Sequence, residues 1–245
     1  MKTLILKLYF FIRKNFIDTI EYYYFRIRGK SYSDYYSSRM NRIVTENPNW
    51  GLNLGKEFHL NFLKKHGLKK TDVFLDYGCG ALSSGMHFIN YLDASKYHGI
   101  DISPKVIEEG KKRVVENNLE NKNASIKCID SNEDLIIKNV KFDLIWSQSV
   151  FTHLPEDIAR RIIVNLKSLL SEKGKFYLTF NSNTINEDVK QKNFKDFYFP
   201  ISFFNKICDE IDLNIEVVDD WNHPDDPENL NTLICLTNKI HYERT

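Results

Sequence analysis

Three carboxylates and two glycines are the residues best placed for chemistry. Asp76 closes the apolar, β-prone run Val73-Phe74-Leu75, and Gly78 and Gly80 follow it at tight-turn spacing. Asp101 closes a second such run, His98-Gly99-Ile100, a strand and a helix later, and Asp130 closes a third, Ala124 to Ile129. A glycine turn lets a ligand approach the backbone, and the helix after it offers free N–H groups. A carboxylate at the next strand end is placed to accept hydrogen bonds from ribose hydroxyls. Taken singly, each Asp could equally cap the following helix or turn; three at successive strand ends argue for a nucleotide-like ligand.

The elements that must hold these groups alternate. Helices are expected over Leu54 to His66, Ala81 to Leu92, Lys105 to Asn117 and Glu156 to Leu170, and strands over Phe142 to Trp146, Lys175 to Phe180, Asn214 to Val218 and Thr232 to Thr237. Such alternation predicts an α/β fold with a mainly parallel sheet whose ligands lie at the carboxyl ends of its strands. The run Ser147 to His153 and Asn181 fall at those ends too. His153 could take a proton near neutral pH, or simply order the loop. Cys79 reads as a small loop residue, with no neighbouring base to activate it. His59 lies beside an apolar helical stripe and reads as a packed or surface residue.

Charge and cysteine usage narrow the classes. With 34 basic and 33 acidic residues the chain lacks the basic field a nucleic-acid partner requires. The four cysteines are widely spaced without a C-x-x-C pair, which suits reduced thiols in the cytoplasm. Residues 1–30 are aromatic and aliphatic yet hold seven Lys or Arg against Asp18 and Glu21. Lys7 and Arg13 break the apolar run, so it is too short to span a bilayer, and no small-residue cleavage site follows. Leu4, Ile5, Leu8, Phe11, Ile12 and Phe16 share a helical face, which would lie on the inner face of an anionic membrane, on the main domain, or on a homodimer partner. Residues 31–52 show no clean period and read as a linker or lid. The acidic group Asp219, Asp220, Asp225 and Asp226 reads as a solvated loop and not as a metal site, and Trp221 and His223 beside it as candidate acceptor-pocket residues.

In their order, the motifs LDYGCGALSSG, YHGIDIS, SVFTHLP and GKFYLTF resemble the class I S-adenosylmethionine-dependent methyltransferases, in particular bacterial glycan and small-molecule methyltransferases. The resemblance implies a Rossmann-like, seven-stranded sheet, helices on both faces and an antiparallel last strand. It divides the chain into an N-terminal helical extension and lid (1–52) and a methyltransferase domain (53–245) with an insertion near the acceptor at 181–200. It implies that Asp76, Gly78, Cys79 and Gly80 surround the methionine part of S-adenosylmethionine, that Asp101 binds the ribose, that Ile102 packs on adenine, and that Asp130 accepts from its amino group. Ser131 and Ser147 would complete the cofactor site, and His153 would be the base for a hydroxyl acceptor on a sugar or other small molecule. A third glycine frequent in that family is Leu82 here. A dinucleotide oxidoreductase fits less well, since its third glycine would fall at Ser83. A scaffold of the same fold that has lost turnover is the alternative from another class.

Overall fold

The computed structural model describes residues 17–47, 56–129, 140–185, 187–224, 226 and 230–239. Asp130, Ser131, Asp225 and the Leu4 to Phe16 stripe lie outside them. The strands are β1 (Phe74–Tyr77), β2 (Tyr97–Asp101), β3 (Ser125–Cys128), β4 (Phe142–Ser147), β5 (Leu170–Ser182), β6 (Lys190–Gln191), β7 (Phe197–Phe199), β8 (Leu213–Val217) and β9 (Asn231–Asn238). The helices are α1 (Asp18–Ile27), α2 (Tyr32–Glu46), α3 (Lys56–Lys65), α4 (Gly85–Tyr91), α5 (Pro104–Glu116), α6 (Glu156–Leu169) and α7 (Ile201–Glu210).

The main sheet runs β3-β2-β1-β4-β5-β9-β8. Its first five strands are parallel, and β9 enters antiparallel between β5 and β8. This is the Rossmann-like α/β sheet of class I methyltransferases. The short strands β6 and β7 come from the 181–200 insertion, and β7 extends the end of β5 through Asn181 and Ser182, so nine strands share hydrogen bonds rather than seven.

Central strands buried on both faces explain their unbroken apolar runs. Every residue of β1 is buried, and β4 has a single exposed position, Asp143. One sheet face is covered by α6 and α7, where Ile158, Ile162, Ile163, Leu166, Phe204 and Ile207 join the core. The other is covered by α3, α4 and α5 through Phe62, Leu63, Phe88, Ile89, Ile107 and Val114. Fully burying one such side chain contributes about 1.5–3 kcal/mol. Strand order reverses between β1–β2 and β1–β4, opening a crevice beyond their carboxyl ends, where ligands of such sheets sit.

Three expectations change. Residues 32–46 are a helix, not a linker. The Ser31 hydroxyl accepts from the Asp34 N–H at 3.1 Å and the Asp34 carboxylate accepts from the Ser31 N–H at 2.9 Å, a reciprocal cap that starts α2. Helix α4 starts at Gly85, not Ala81, because Leu82 holds a left-handed φ of 63° that no helix accommodates. Two of the acidic group are engaged, while Asp219 is exposed as expected. Asp220 bonds Lys65 and His66, and Asp226 accepts from the N–H groups of Leu230 (3.1 Å) and Asn231 (2.7 Å), closing the turn into β9.

Candidate functional site

The turn after β1 is fastened from behind. The Gly78 and Cys79 N–H groups both donate to the Ile100 carbonyl, at 2.8 and 3.0 Å. Gly78 has φ 76°, and a Cβ there would stand 2.2 Å from Val150 Cγ2. Nothing lies within 4 Å of a Cβ on Gly80, whose backbone faces open space. Leu82, wholly buried, turns its side chain under Gly85 and Gly110. Packing therefore holds the left-handed turn that a glycine would adopt without strain.

Two carboxylates stand at this turn. Asp101 accepts the Gly80 N–H at 3.1 Å on one oxygen and the Ser103 N–H at 2.9 Å on the other. A carboxylate offers about four acceptor positions, so about two remain for ligand hydroxyls. Burial raises its pKa, against the pull of the backbone N–H groups of Ser103, Gly80 and Ile102. Asp76 is more deeply buried and accepts the Tyr97 hydroxyl at 2.7 Å. Burial pushes it up to about 7; the Tyr97 bond opposes the shift and the Asp101 charge adds to it. Neither carboxylate is ion-paired among the described residues. Burial, Asp76 and Asp101 together raise the Cys79 thiol well above its ordinary value, so it is a protonated wall residue and no nucleophile.

These groups line one cavity of about 530 Å³, within the range of small-molecule sites. Asp76, Gly78, Cys79, Gly80, Asp101, Ile102 and His153 all reach it, so the structure brings together seven of the residues singled out from sequence. Ile102, Ile43 and Ile129 all line the cavity. Ser147 does not reach the wall. It is fully buried with its hydroxyl unpartnered, while its neighbours Trp146, Gln148 and Ser149 face the cavity. Asp130 and Ser131 are outside the described residues.

His153 ends the 3₁₀ turn Phe151–His153, anchored by buried Phe151 and Leu154. Its Nδ1 donates to the Lys195 carbonyl at 2.8 Å and lies 3.4 Å from Asp196 Oδ1, both in the 181–200 insertion. Tyr32 of α2 donates to its backbone carbonyl at 2.8 Å. With Nδ1 engaged, Nε2 is the nitrogen left to accept a proton. Burial pushes the Asp196 pKa up, but hydrogen bonds from His153, Lys195 and Asn193 outweigh it and hold the carboxyl well below the usual range.

Three features escaped the sequence. Helix α2 forms part of the cavity wall through Tyr36, Arg39, Met40 and Ile43, and is pinned to the β2–α5 loop by Ser37 on the Ile102 carbonyl (2.8 Å) and Asn41 on Ser103 (2.8 Å). Arg39 joins the wall while ion-paired to Asp18 at 3.2 Å. His59 is packed, as expected, but it also lines the cavity. Its Nδ1 is 2.6 Å from Ser84 Oγ and its Nε2 is 2.9 Å from His223 Nε2. Burial, with His223 and His87 nearby, lowers its pKa to about 3, so it is neutral. Trp221 stacks on it with ring centroids 5.8 Å apart, and both Trp221 and His223 lie on the wall. Only the Ser31-x-x-Asp34 cap signalled α2 in the sequence; nothing local signalled the histidine pair.

Does this cavity suit S-adenosylmethionine? The ligand carries a sulfonium and an α-ammonium, and the cradle presents one buried and one partly buried carboxylate, neither with a cationic side-chain partner among the described residues. A buried charge is costly unless paired, so the residues present fit a cationic ligand. The fold matches that of class I S-adenosylmethionine-dependent methyltransferases. The profile of a family described as "Methyltransferase domain" matches residues 75–176. The chain is 30% identical over 125 residues to an uncharacterized protein of Rickettsia prowazekii, covering 48% of this chain and 49% of that one. It is 28% identical over 123 residues to malonyl-[acyl-carrier protein] O-methyltransferase 1 of Ilyobacter polytropus, covering 50% and 43%. Thus the matches span about half the length of these curated relatives. Magnesium protoporphyrin IX methyltransferase from Synechocystis, solved with bound S-adenosylmethionine, superposes with a TM-score of 0.57 at 16% identity over 75% of this chain and 77% of that one. At that identity the likeness speaks to the fold. The domain is that of an S-adenosylmethionine-dependent methyltransferase, with S-adenosylmethionine as its cofactor.

Proposed function

We propose that the whole chain transfers the methyl group of S-adenosylmethionine to a hydroxyl oxygen of a small-molecule or glycan acceptor, with His153 as general base. The observation that carries this reading is the setting of His153: on the cavity wall, with Nδ1 held by the Lys195 carbonyl and Asp196 and Nε2 available. S-adenosylmethionine supplies an electrophilic methyl group on a sulfonium. Asp76 and Asp101 offset the ligand's positive charge, and Asp101 accepts from the ribose hydroxyls. Ile43, Ile102 and Ile129 supply an apolar wall for the adenine. The α2 cover and the insertion exclude water around the acceptor. His153 Nε2 removes the acceptor's proton as the oxygen attacks, and Asp196 stabilises the imidazolium that results.

Charge at the acceptor end supports a hydroxylated rather than an anionic reacting group. Arg39 is neutralised by Asp18, and Lys195 lies 2.8 Å from Asp196. Other polar groups line the cavity, among them His153, Gln148, Ser149 and Asn231. All four cysteines are free thiols, which supports a reducing, cytoplasmic setting.

Calorimetric titration with S-adenosylmethionine and S-adenosylhomocysteine, with NAD as control, comes first. Binding of the adenosyl ligands alone is expected, followed by labelled-methyl transfer to free and nucleotide-linked sugars. His153→Ala should keep cofactor affinity and lose about 10²–10⁴-fold in turnover. Unchanged turnover with an unchanged pH profile would remove His153 as the base.

A further inference from the structure

Helix α1 is apolar on the side that faces away from the protein. Its inner side is committed: Asp18 pairs with Arg39 (3.2 Å) and Arg42 (2.9 Å), Glu21 pairs with Arg42 (2.7 Å), and Tyr22 packs on Tyr35 and Phe194. The outer side carries Ile20, Tyr24 and Ile27 at helical spacing, 68%, 51% and 86% exposed, with Tyr23 beside them and Ile17 just before the helix. A solvent-facing stripe of large apolar residues on a short helix marks a surface that something covers.

We infer that this face of α1 docks on an anionic lipid surface. Charge chooses the occupant. Both acids of α1 are consumed on the inner side, so Arg26, Arg28 and Lys30 give the outer end an uncompensated positive charge; none of the three forms an ion pair among the described residues. Arg28 lies over the Tyr24 ring at 4.7 Å, bringing its cation beside the apolar stripe. The sixteen residues ahead of Ile17 add Lys2, Lys7, Arg13 and Lys14 and no acid. Exposed isoleucine, interfacial tyrosine and flanking Arg or Lys are the composition of a helix lying in a headgroup layer. A second copy of the chain fits less well, because it brings a second stripe flanked by charge of the same sign, not the opposite one. No helix among the described residues is long and apolar enough to cross the bilayer. Docking would act on the site directly, since Arg39, the partner of Asp18, lines the cavity. The cavity's α2 cover would then sit against the surface and favour acceptors presented there.

The test is vesicle co-sedimentation of the full chain with phosphatidylcholine alone and with phosphatidylcholine containing about one third phosphatidylglycerol. Wild type should sediment with the anionic vesicles only, and less so as salt rises. The double substitution Ile20→Ser/Ile27→Ser, at solvent-facing positions, should weaken partitioning about tenfold or more with circular dichroism and melting unchanged. Arg28→Glu/Lys30→Glu should lower it on anionic vesicles as well. Three results would overturn the proposal: no sedimentation with either vesicle, sedimentation unchanged by both variants, or light scattering showing a dimer that Ile20→Ser/Ile27→Ser dissociates. Adenosyl-ligand titration of the same variants keeps this outcome separate from the cofactor reading.

Discussion

Asp76→Asn separates the cost of burying a carboxylate from its use in binding. In the free protein Asp76 ionises near 7, against 3.8 for an ordinary aspartate, chiefly because it is buried. Between those values the folded state holds a proton that the unfolded chain has released. Stability therefore falls as pH rises from about 4 to about 7 and levels off above. A shift of about three units corresponds to ~4 kcal/mol, an upper bound because the free cavity admits water. Asparagine keeps an oxygen for the Tyr97 hydroxyl and never ionises. Urea denaturation without ligand should find the two proteins alike near pH 4, and the variant more stable by about 2–4 kcal/mol near pH 8. Taking wild type minus variant cancels every other titrating group.

Ligand binding runs the other way. S-adenosylmethionine, a cation, favours ionised Asp76, so wild-type affinity should rise about tenfold between pH 6 and pH 8. Affinity of the variant should be weaker and flat across that range. Parallel stability curves for the two proteins from about pH 5 to about pH 8 would show that Asp76 ionises as an ordinary surface carboxyl, and would refute the claim that the cradle is short of a cation.

Gly78→Ala places a Cβ against Val150 at positive φ and should cost about 2–4 kcal/mol in urea denaturation, along with S-adenosylhomocysteine affinity. Adding Val150→Ala should return part of the affinity, and no rescue would place the defect elsewhere. His59, lowered to about 3 mainly by burial, takes up its proton in the unfolded chain first. Its contribution is thus full above about 6.5 and lost as pH falls toward 3, and His59→Phe should flatten that part of the acid-denaturation curve. Asp196→Asn loosens the His153 ring and should lower single-turnover rates about tenfold or more while cofactor binding holds; unchanged turnover would leave Asp196 a loop residue only.

The cradle could be read from sequence because its signals are local. An apolar run, an Asp and two glycines determine strand, turn and ligand side within a few residues, and the other strand ends repeat the pattern. Leu82 marked the one irregular point, and there the helix start shifts to Gly85. Helix α2 hid because its buried side mixes Ser33, Tyr35, Met40 and Val44, which blurs the 3.6-residue period. The His59–His223 pair spans 164 residues, and no periodicity reports a contact between a helix and a turn so far apart. The insertion was expected near the acceptor, yet that Asp196 and the Lys195 carbonyl would meet His153 follows only from the fold.

This division has a consequence for the acceptor. Asp76, Gly78, Gly80, Asp101 and His153 fall within the segment, 75–176, that matches the methyltransferase-domain family. Arg39 and the α2 cover, His59, Lys195 and Asp196, and Trp221 to Asn231 all fall outside it. The glycine turn and its two carboxylates therefore lie in the matched segment, and much of the remaining cavity wall does not. His153 lies inside the match, and the groups that hold its ring, Lys195 and Asp196, lie outside it. For that reason the relatives' acceptors are weak guides, and the neutralised Arg39 and Lys195 are stronger ones. A wall whose cations are already paired gains little from an anionic group at the reacting centre, which supports the hydroxyl acceptor proposed above.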